Sequence, residues 1–419
     1  MIATNSTSLR RVFRKIFCTA VVFSAFLCET EPLCAQVSEK VFRTYYRLDT
    51  LKTGSLSVDI DNISFFRNIE SPKTIVPGYT LPGFWLQAKA VYHPAENVKL
   101  EAGVHSLWFW GADSYPAYAY SKLADWNGGR SSCAAHLSPF FRAQVALSPQ
   151  VNIVLGNLYG GASHRLVEPL YNPELNLTAD PETGVQLLYD TRWLHLDGWV
   201  NWETFIYNMD TKQEAFTAGI SALFQANKPG STWHVYFPLQ ALAQHRGGQI
   251  DDTDLPVQTM VNGALGAGIE HNTDGGLLQK LSLEVDMLGS RQLAGDLWNF
   301  KRGSGIYVAA SAELMNVRVK TAWWRSKDFI AMYGNPLFGV MSMSSQDTYF
   351  VNPRTLSFSG EYTRTVAKGC SLGIDFDFYV RLPGTVIDSF GSYPGSTTTM
   401  YTFGIYLRAN PSFLIKKMK

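Results

Sequence analysis

Beyond residue 53 the chain repeats one pattern. About ten residues alternate between apolar and polar side chains, and a connection rich in Pro, Gly, Asn or Asp follows. Val98, Leu100, Ala102 and Val104 interleave with Lys99, Glu101 and His105. Leu281, Leu283, Val285 and Met287 interleave with Lys280, Ser282, Glu284 and Asp286, and similar runs cover residues 316–323 and 371–381. Successive side chains of a β-strand point to opposite faces, so each run predicts a strand with one apolar and one polar face. Seven connections are short (residues 93–97, 148–150, 190–192, 227–231, 272–276, 315–316 and 367–369) and carry the residues that tight hairpins need. They alternate with eight longer ones, among them residues 111–137, 159–181, 244–261 and 329–353. Fifteen connections predict about sixteen strands.

The N-terminus reads differently. Arg10, Arg11, Arg14 and Lys15 precede an apolar run over residues 16–27, too short to cross a bilayer as a helix, which predicts a secretory signal over residues 1–35 cut after Ala35. A lipoprotein signal ending at Cys28 or Cys34 is an alternative, disfavoured because Leu precedes each cysteine. Residues 36–53 then form a periplasmic lead-in, residues 54–411 the strand-rich body, and residues 412–419 a C-terminal tail.

Composition sharpens the class. Of 419 residues only 17% are charged while 13% are aromatic, and the formal net charge is +1. That balance excludes an intrinsically disordered chain and gives no reason to expect a nucleic-acid partner. Past the signal no run of about 18 apolar residues predicts a membrane-spanning helix. A polar face on every strand of so long a sheet requires either a water-soluble sandwich or a closed barrel with a wet interior. Only a closed sheet satisfies its backbone in hydrocarbon. Aromatics at strand ends (Trp108, Trp110, Trp193, Trp323, Trp324 and Tyr401) favour the barrel, where they would form the two interfacial girdles.

Parity assigns the faces. Lys89, Lys99, Glu101, Arg142, Asp197, Glu203, Glu284, Asp286, Arg318, Lys320, Asp375, Asp377, Arg381 and Arg408 point inward as candidate pore-lining residues, with Asp59, Asp61, His195, Glu270, Lys280, Glu313 and Glu361 on the same side. The acids outnumber the bases, which predicts a mild cation preference. A plugged interior in which these charges pair is the alternative. Two loops carry contact candidates: Tyr115, Tyr118, Tyr120 and Trp126 in one, and His164, Arg165 and Glu168 in the other. Loops of this length can fold inward and narrow a lumen, although a loop packed on its own aromatics is the simpler expectation.

Chemistry is sparse. The eight His are scattered singly, no CxxC, HExxH, GxSxG or P-loop is present, and the acidic run Asp251, Asp252 and Asp254 lacks the spacing of a calcium loop. No catalytic residue, metal or cofactor is predicted. Cys133 and Cys370 are expected at opposite ends of strands, as two free thiols.

Alternation with short turns at one end and long loops at the other resembles the bacterial outer-membrane β-barrels, porins in particular, over residues 54–411. The Ala35-Gln36 junction resembles the cleavage sites of Bacteroidetes exports. The resemblance implies a closed antiparallel barrel of about sixteen strands in the outer membrane of a Gram-negative bacterium. It implies insertion by barrel-assembly machinery, contact with outer-membrane lipid, passive diffusion of small hydrophilic solutes, and a trimer as one oligomeric option. On this reading the chain is not an enzyme. The alternatives are a structural or secretion-accessory barrel that docks partner proteins and, less favoured, an outer-membrane enzyme with a Ser/His or Asp/His pair at its rim.

Overall fold

Every alternating run forms a strand, and the strands pair with their chain neighbours. A computed structural model describes residues 36–110, 133–273, 275–345 and 347–418. The first half of the barrel comprises β1 (Ser55–Glu70), β2 (Tyr79–Ala95), β3 (Val98–Trp110), β4 (Cys133–Ala146), β5 (Val151–Asn157), β6 (Thr183–Asp190), β7 (Leu194–Thr204) and β8 (Ala215–Gln225). The second half begins with β9 (Trp233–Arg246), β10 (Gln258–Asn272), β11 (Lys280–Ala294), β12 (Arg302–Leu314) and β13 (Val317–Lys327). After a three-residue strand, β14 (Tyr349–Val351), come β15 (Arg354–Ala367), β16 (Cys370–Arg381), the loop hairpin β17 (Gly384–Asp388) and β18 (Gly391–Gly395), and finally β19 (Thr398–Ala409).

Closure is made by β1 against β19, with Asn62 opposite Ala409 and Glu70 opposite Tyr401. Leaving aside β14, β17 and β18, which form a separate small sheet, and the terminal β20 (Ser412–Lys417), sixteen antiparallel strands complete the barrel. Seven short connections lie at one rim and eight longer ones at the other; two of the longer ones are shorter than predicted, because β4 takes residues 133–137 and β9 and β10 take residues 244–246 and 258–261. Two segments differ from the sequence expectation. Residues 412–417 are no free tail, because β20 continues the pairing along β1 from Ser412 opposite Asp59 to Lys417 opposite Ser55. Nor do residues 36–46 hang outside. Val37 and Val41 are buried, and the Arg408 guanidinium donates to the carbonyls of Val41 (2.9 Å) and Arg43 (2.5 Å) from inside the wall.

The outer wall is apolar. Val104, Phe141, Leu265, Met287, Phe358 and Ile405 are exposed on it, as a lipid-facing band requires. Trp108, Trp110, Trp202 and Tyr401 edge this band at the long-loop rim, with Trp193 and Trp233 at the other. Trp324 departs from the girdle expectation. Its neighbours Ala322 and Ser326 are also buried, so parity turns it inward, where it is fully buried and its ring covers Gly305, at which any Cβ would collide. This closed, apolar-skinned barrel with a polar inner wall is a porin-like outer-membrane barrel.

Candidate functional site

All fourteen candidate pore-lining residues lie on the inner face, and most are engaged there. Glu101 receives Lys89 (3.1 Å), Lys99 (3.4 Å) and Arg142 (3.0 Å), and Asp61 takes both ends of the Arg408 fork (3.0 and 2.8 Å). Arg318 meets Glu361 at 3.4 Å, and the Tyr236 hydroxyl donates to Glu284 at 2.7 Å. Asp375 is held by Arg67 (3.2 Å) and the Tyr406 hydroxyl (3.0 Å), while Thr402 donates to Asp377 at 3.1 Å. Arg67 was missed from sequence. Its strand was read through Asp59 and Asp61 alone, although its parity is the same as theirs.

Three chain segments fill the space between these walls. The first is residues 36–46. The second is the loop of residues 158–182, which turns inward. His164 sits with Nδ1 2.8 Å from Asp197 and Nε2 2.9 Å from Glu182, its ring stacked 3.5 Å from that of Trp199. Burial alone would lower its pKa. The two flanking carboxylates overcome that and push it up to about 10, so the ring is an imidazolium clamp outside the spanning strands. Glu168 accepts from Lys320 (3.0 Å), Tyr379 (2.5 Å) and Tyr307 (3.3 Å), and Arg165 reaches back to Glu39 at 3.7 Å.

The third segment is residues 328–353, where Phe329, Leu337, Phe338 and Val340 are buried against Trp324 and Tyr307. Tyr333 donates to Glu203 (2.6 Å) and accepts from Gln244 (2.6 Å). Arg381 donates to the carbonyls of Leu337 (2.6 Å) and Gly339 (3.3 Å). The loop candidates His164 and Glu168 are therefore braces between loop and wall. Tyr115, Tyr118, Tyr120 and Trp126 lie outside the described residues.

Among the described residues no group of three His, Cys, Asp or Glu is placed to hold a metal ion. Histidine geometry separates braces from candidate bases. His164 has both nitrogens occupied. His195 meets Asp190 at the short-turn rim. His136 Nε2 lies 2.9 Å from Asp180 just inside the long-loop mouth. His245 is different. Its neighbours Gln244 and Arg246 turn inward, so it faces outward, beside the ring of Phe216 at 5.1 Å in the long-loop girdle. It stands directly opposite Thr259 of β10, with Nδ1 2.9 Å from the Thr259 hydroxyl oxygen. A hydroxyl within hydrogen-bond reach of an imidazole is the arrangement of a nucleophile and its base. Here it sits on the lipid side of the wall, at the long-loop rim. Fourteen residues separate the two in sequence, so no motif marks them. Only parity on two adjacent strands could have brought them together.

Similar solved structures are the outer-membrane proteins OccAB2 of Acinetobacter baumannii (13% identity, 86% of this chain and 99% of that one, TM-score 0.48) and OccK1 (OpdK) of Pseudomonas aeruginosa (10%, 86% and 100%, 0.46), with an anion-selective porin of Comamonas acidovorans (10%, 85% and 100%, 0.46). No curated protein matches the sequence. A family model described as lipid A 3'-O-deacylase-type matches residues 48–418. That match overturns the expectation that the chain is not an enzyme. The expectation rested on missing motifs, and a pair assembled across two strands leaves none. With almost the whole barrel covered by the model, the chain belongs to the lipid A 3'-O-deacylase-type family.

Proposed function

We propose that the protein removes an ester-linked acyl chain from a glycolipid of the outer leaflet, using Thr259 and His245 on its outer wall. The observation that carries this reading is the 2.9 Å contact between His245 Nδ1 and the Thr259 hydroxyl, facing lipid in the aromatic girdle. The hydroxyl donates to Nδ1 in the resting state. As Thr259 Oγ1 attacks the ester carbonyl, His245 takes its proton. It returns that proton to the departing sugar oxygen as the ester C–O bond breaks and an acyl-threonine forms. Water then attacks the acyl-threonine, again losing its proton to His245, and the proton goes back to Thr259 as the fatty acid leaves. Trp202 and Phe216, whose rings stack 5.3 Å apart beside the pair, offer a flat apolar surface for the acyl chain. Export through the N-terminal signal and insertion by barrel-assembly machinery, with the long-loop rim outside a Gram-negative cell, belong to this reading.

The test is release of fatty acid from purified lipid A in mixed micelles, followed by mass spectrometry. Wild type should release it, and T259A and H245A, each with an intact barrel, should be slower by 100-fold or more. Full activity in both variants would move the site elsewhere, and no release by wild type would end the deacylase reading.

A second reading is passage of small hydrophilic solutes through the lumen. The ionised inner wall favours it, since Lys89, Glu101, Arg142, Asp375, Arg381 and Arg408 line what would be an aqueous path, and the three inserted segments oppose it. Single-channel recording of the refolded protein in planar bilayers decides. Conductance steps of porin size would support passage, and a silent bilayer holding a folded barrel would reject it.

A further inference from the structure

One sector of the outer wall is unlike the rest. At the long-loop ends of β11, β12, β13 and β15, five basic side chains stand exposed: Arg291, Arg302, Arg325, Lys327 and Arg354. They face outward, because their neighbours Ser290, Gln292, Trp324, Ser326 and Thr355 are buried. The register aligns them. Arg291 is directly opposite Arg302, Arg325 is directly opposite Arg354, and Lys327 faces Ser304 two residues beyond Arg302. None of the five is in an ion pair among the described residues, and the only hydrogen bond recorded for their side chains runs from Arg354 to the Pro383 carbonyl at 3.0 Å. Among the described residues, the long-loop halves of the other twelve barrel strands carry no outward Lys or Arg. The row is thus confined to one sector of the rim.

Two like-charged pairs set directly across a strand ladder repel each other, and sheets avoid such pairs unless something neutralises them. The surroundings narrow the choice of counter-ion. Leu293, Val317, Val319 and Phe358 on the same wall are exposed and apolar, so the sector faces lipid, and its upper edge lies where headgroups sit. Guanidinium groups bind phosphate through paired N–H donors, and four strands at about 4.8 Å spacing give a row about 15 Å long, room for more than one phosphate. We infer that the Arg291–Arg302–Arg325–Arg354 row is a docking surface for the phosphates of an anionic glycolipid in the outer leaflet. The row begins beside the proposed reaction site, because Arg291 is directly opposite Val261, two residues from Thr259 on the same face. A phosphorylated glycolipid held on the row would lay its acylated sugar against β10. The surface deepens the deacylase reading by naming the headgroup feature recognised, yet it stands on the charge row alone.

The experiment reads binding without turnover. Full-length protein refolded in neutral detergent is mixed with bis-phosphorylated lipid A or its dephosphorylated form, and retained lipid is counted by native mass spectrometry. All arms are run in a T259A background so that no substrate is consumed. The background protein should retain the phosphorylated lipid at least tenfold better than the dephosphorylated one. R291Q/R302Q/R325Q/R354Q should lose that preference. R364Q/K368Q/K416Q/K417Q, which removes as many cations at the opposite rim, should keep it. Should the quadruple variant fail to fold, R291Q/R302Q and R325Q/R354Q are measured separately, and each is expected to lose severalfold. Equal retention of both lipids by the unaltered row, or undiminished preference in the row variants, would overturn the docking surface. Binding that survives while T259A and H245A prove fully active would overturn the catalytic pair and leave the row standing.

Discussion

Replacing Glu101 by Gln tests whether the ionised lumen is a structural frame. The carboxylate is 2% exposed and has three cations within 3.4 Å: Lys89 at 3.1 Å, Arg142 at 3.0 Å and Lys99 at 3.4 Å. At an effective dielectric of about 20, one unit pair at this distance is worth about 5 kcal/mol before desolvation. Most of that is offset by taking the ions out of water. What survives when a single buried partner is deleted is typically about 3–5 kcal/mol, because the remaining charges are left uncompensated. E101Q preserves shape and changes the cluster from a net charge of +2 to +3. Arg142 also donates to the carbonyls of Asn157 (2.6 Å) and Leu158 (2.8 Å) and lies 3.9 Å over the Tyr159 ring, so its displacement loosens the root of the inserted loop.

The assay is guanidinium unfolding of the refolded barrel in detergent, followed by tryptophan emission. With a slope of about 4 kcal/mol per molar, the midpoint of E101Q should fall by about 1 M. The variant E101Q/K89M returns the cluster to +2 and should recover much of the loss. A midpoint within about 0.25 M of wild type for E101Q, or no recovery in the double variant, would refute the frame.

Other outcomes follow from the same geometry. His164 is held at about 10, above its unfolded value near 6.5, so its clamp contributes fully below about pH 6.5 and is lost progressively as pH rises from there through 10; thermal midpoints should fall over that window in wild type, and H164Q should show no such step. Removing residues 329–343, which pack the lumen against Trp324, should turn a quiet bilayer into one with large, stable conductance steps. Cys133 begins β4 at the long-loop rim and Cys370 begins β16 at the short-turn rim, so a non-reducing peptide map should find both thiols free. Y333F should weaken loop insertion by about 1 kcal/mol, read as faster protease cleavage within residues 328–353, because it removes the donor to Glu203.

The barrel was legible because its signal is local. A period of two fixes each strand, and residues such as Pro94, Pro149 and Gly369 fix where it ends. What fills the barrel was not legible, since the same apolar residues serve a lipid face, a girdle or a plug. Trp323 and Trp324 are adjacent and chemically alike, yet Trp324 turns inward and packs on Phe338 with its ring centroid 5.6 Å away. Residues 36–46 read as part of a periplasmic lead-in because their anchors, Glu313, Glu361 and Arg408, lie hundreds of positions away. The His245–Thr259 pair was invisible for another reason. Residues 244–261 read as one long loop, so His245 and Thr259, which lie at the end of β9 and the start of β10, carried no face assignment at all.

Where the polar groups are spent bears on where chemistry can occur. Inside the barrel, Glu101, Asp375, Glu168 and His164 each already hold two or more partners at hydrogen-bond or ion-pair distance, and the cavity bounded by Arg67, Asn172, Glu174 and Thr402 is small. A group whose donors and acceptors are satisfied by its own fold has little left to offer a substrate. The outer wall at the long-loop rim shows the opposite state. Among the described residues the Thr259 hydroxyl bonds His245 alone, and the Arg291–Arg354 row has no counter-ion. Folding an interior dense in its own ion pairs and leaving reactive and charged groups on the lipid side is how a barrel would serve a substrate that resides in the bilayer. The three inserted segments, which engage Asp197, Glu203, Lys320, Arg381 and Arg408, occupy the space an interior path would need.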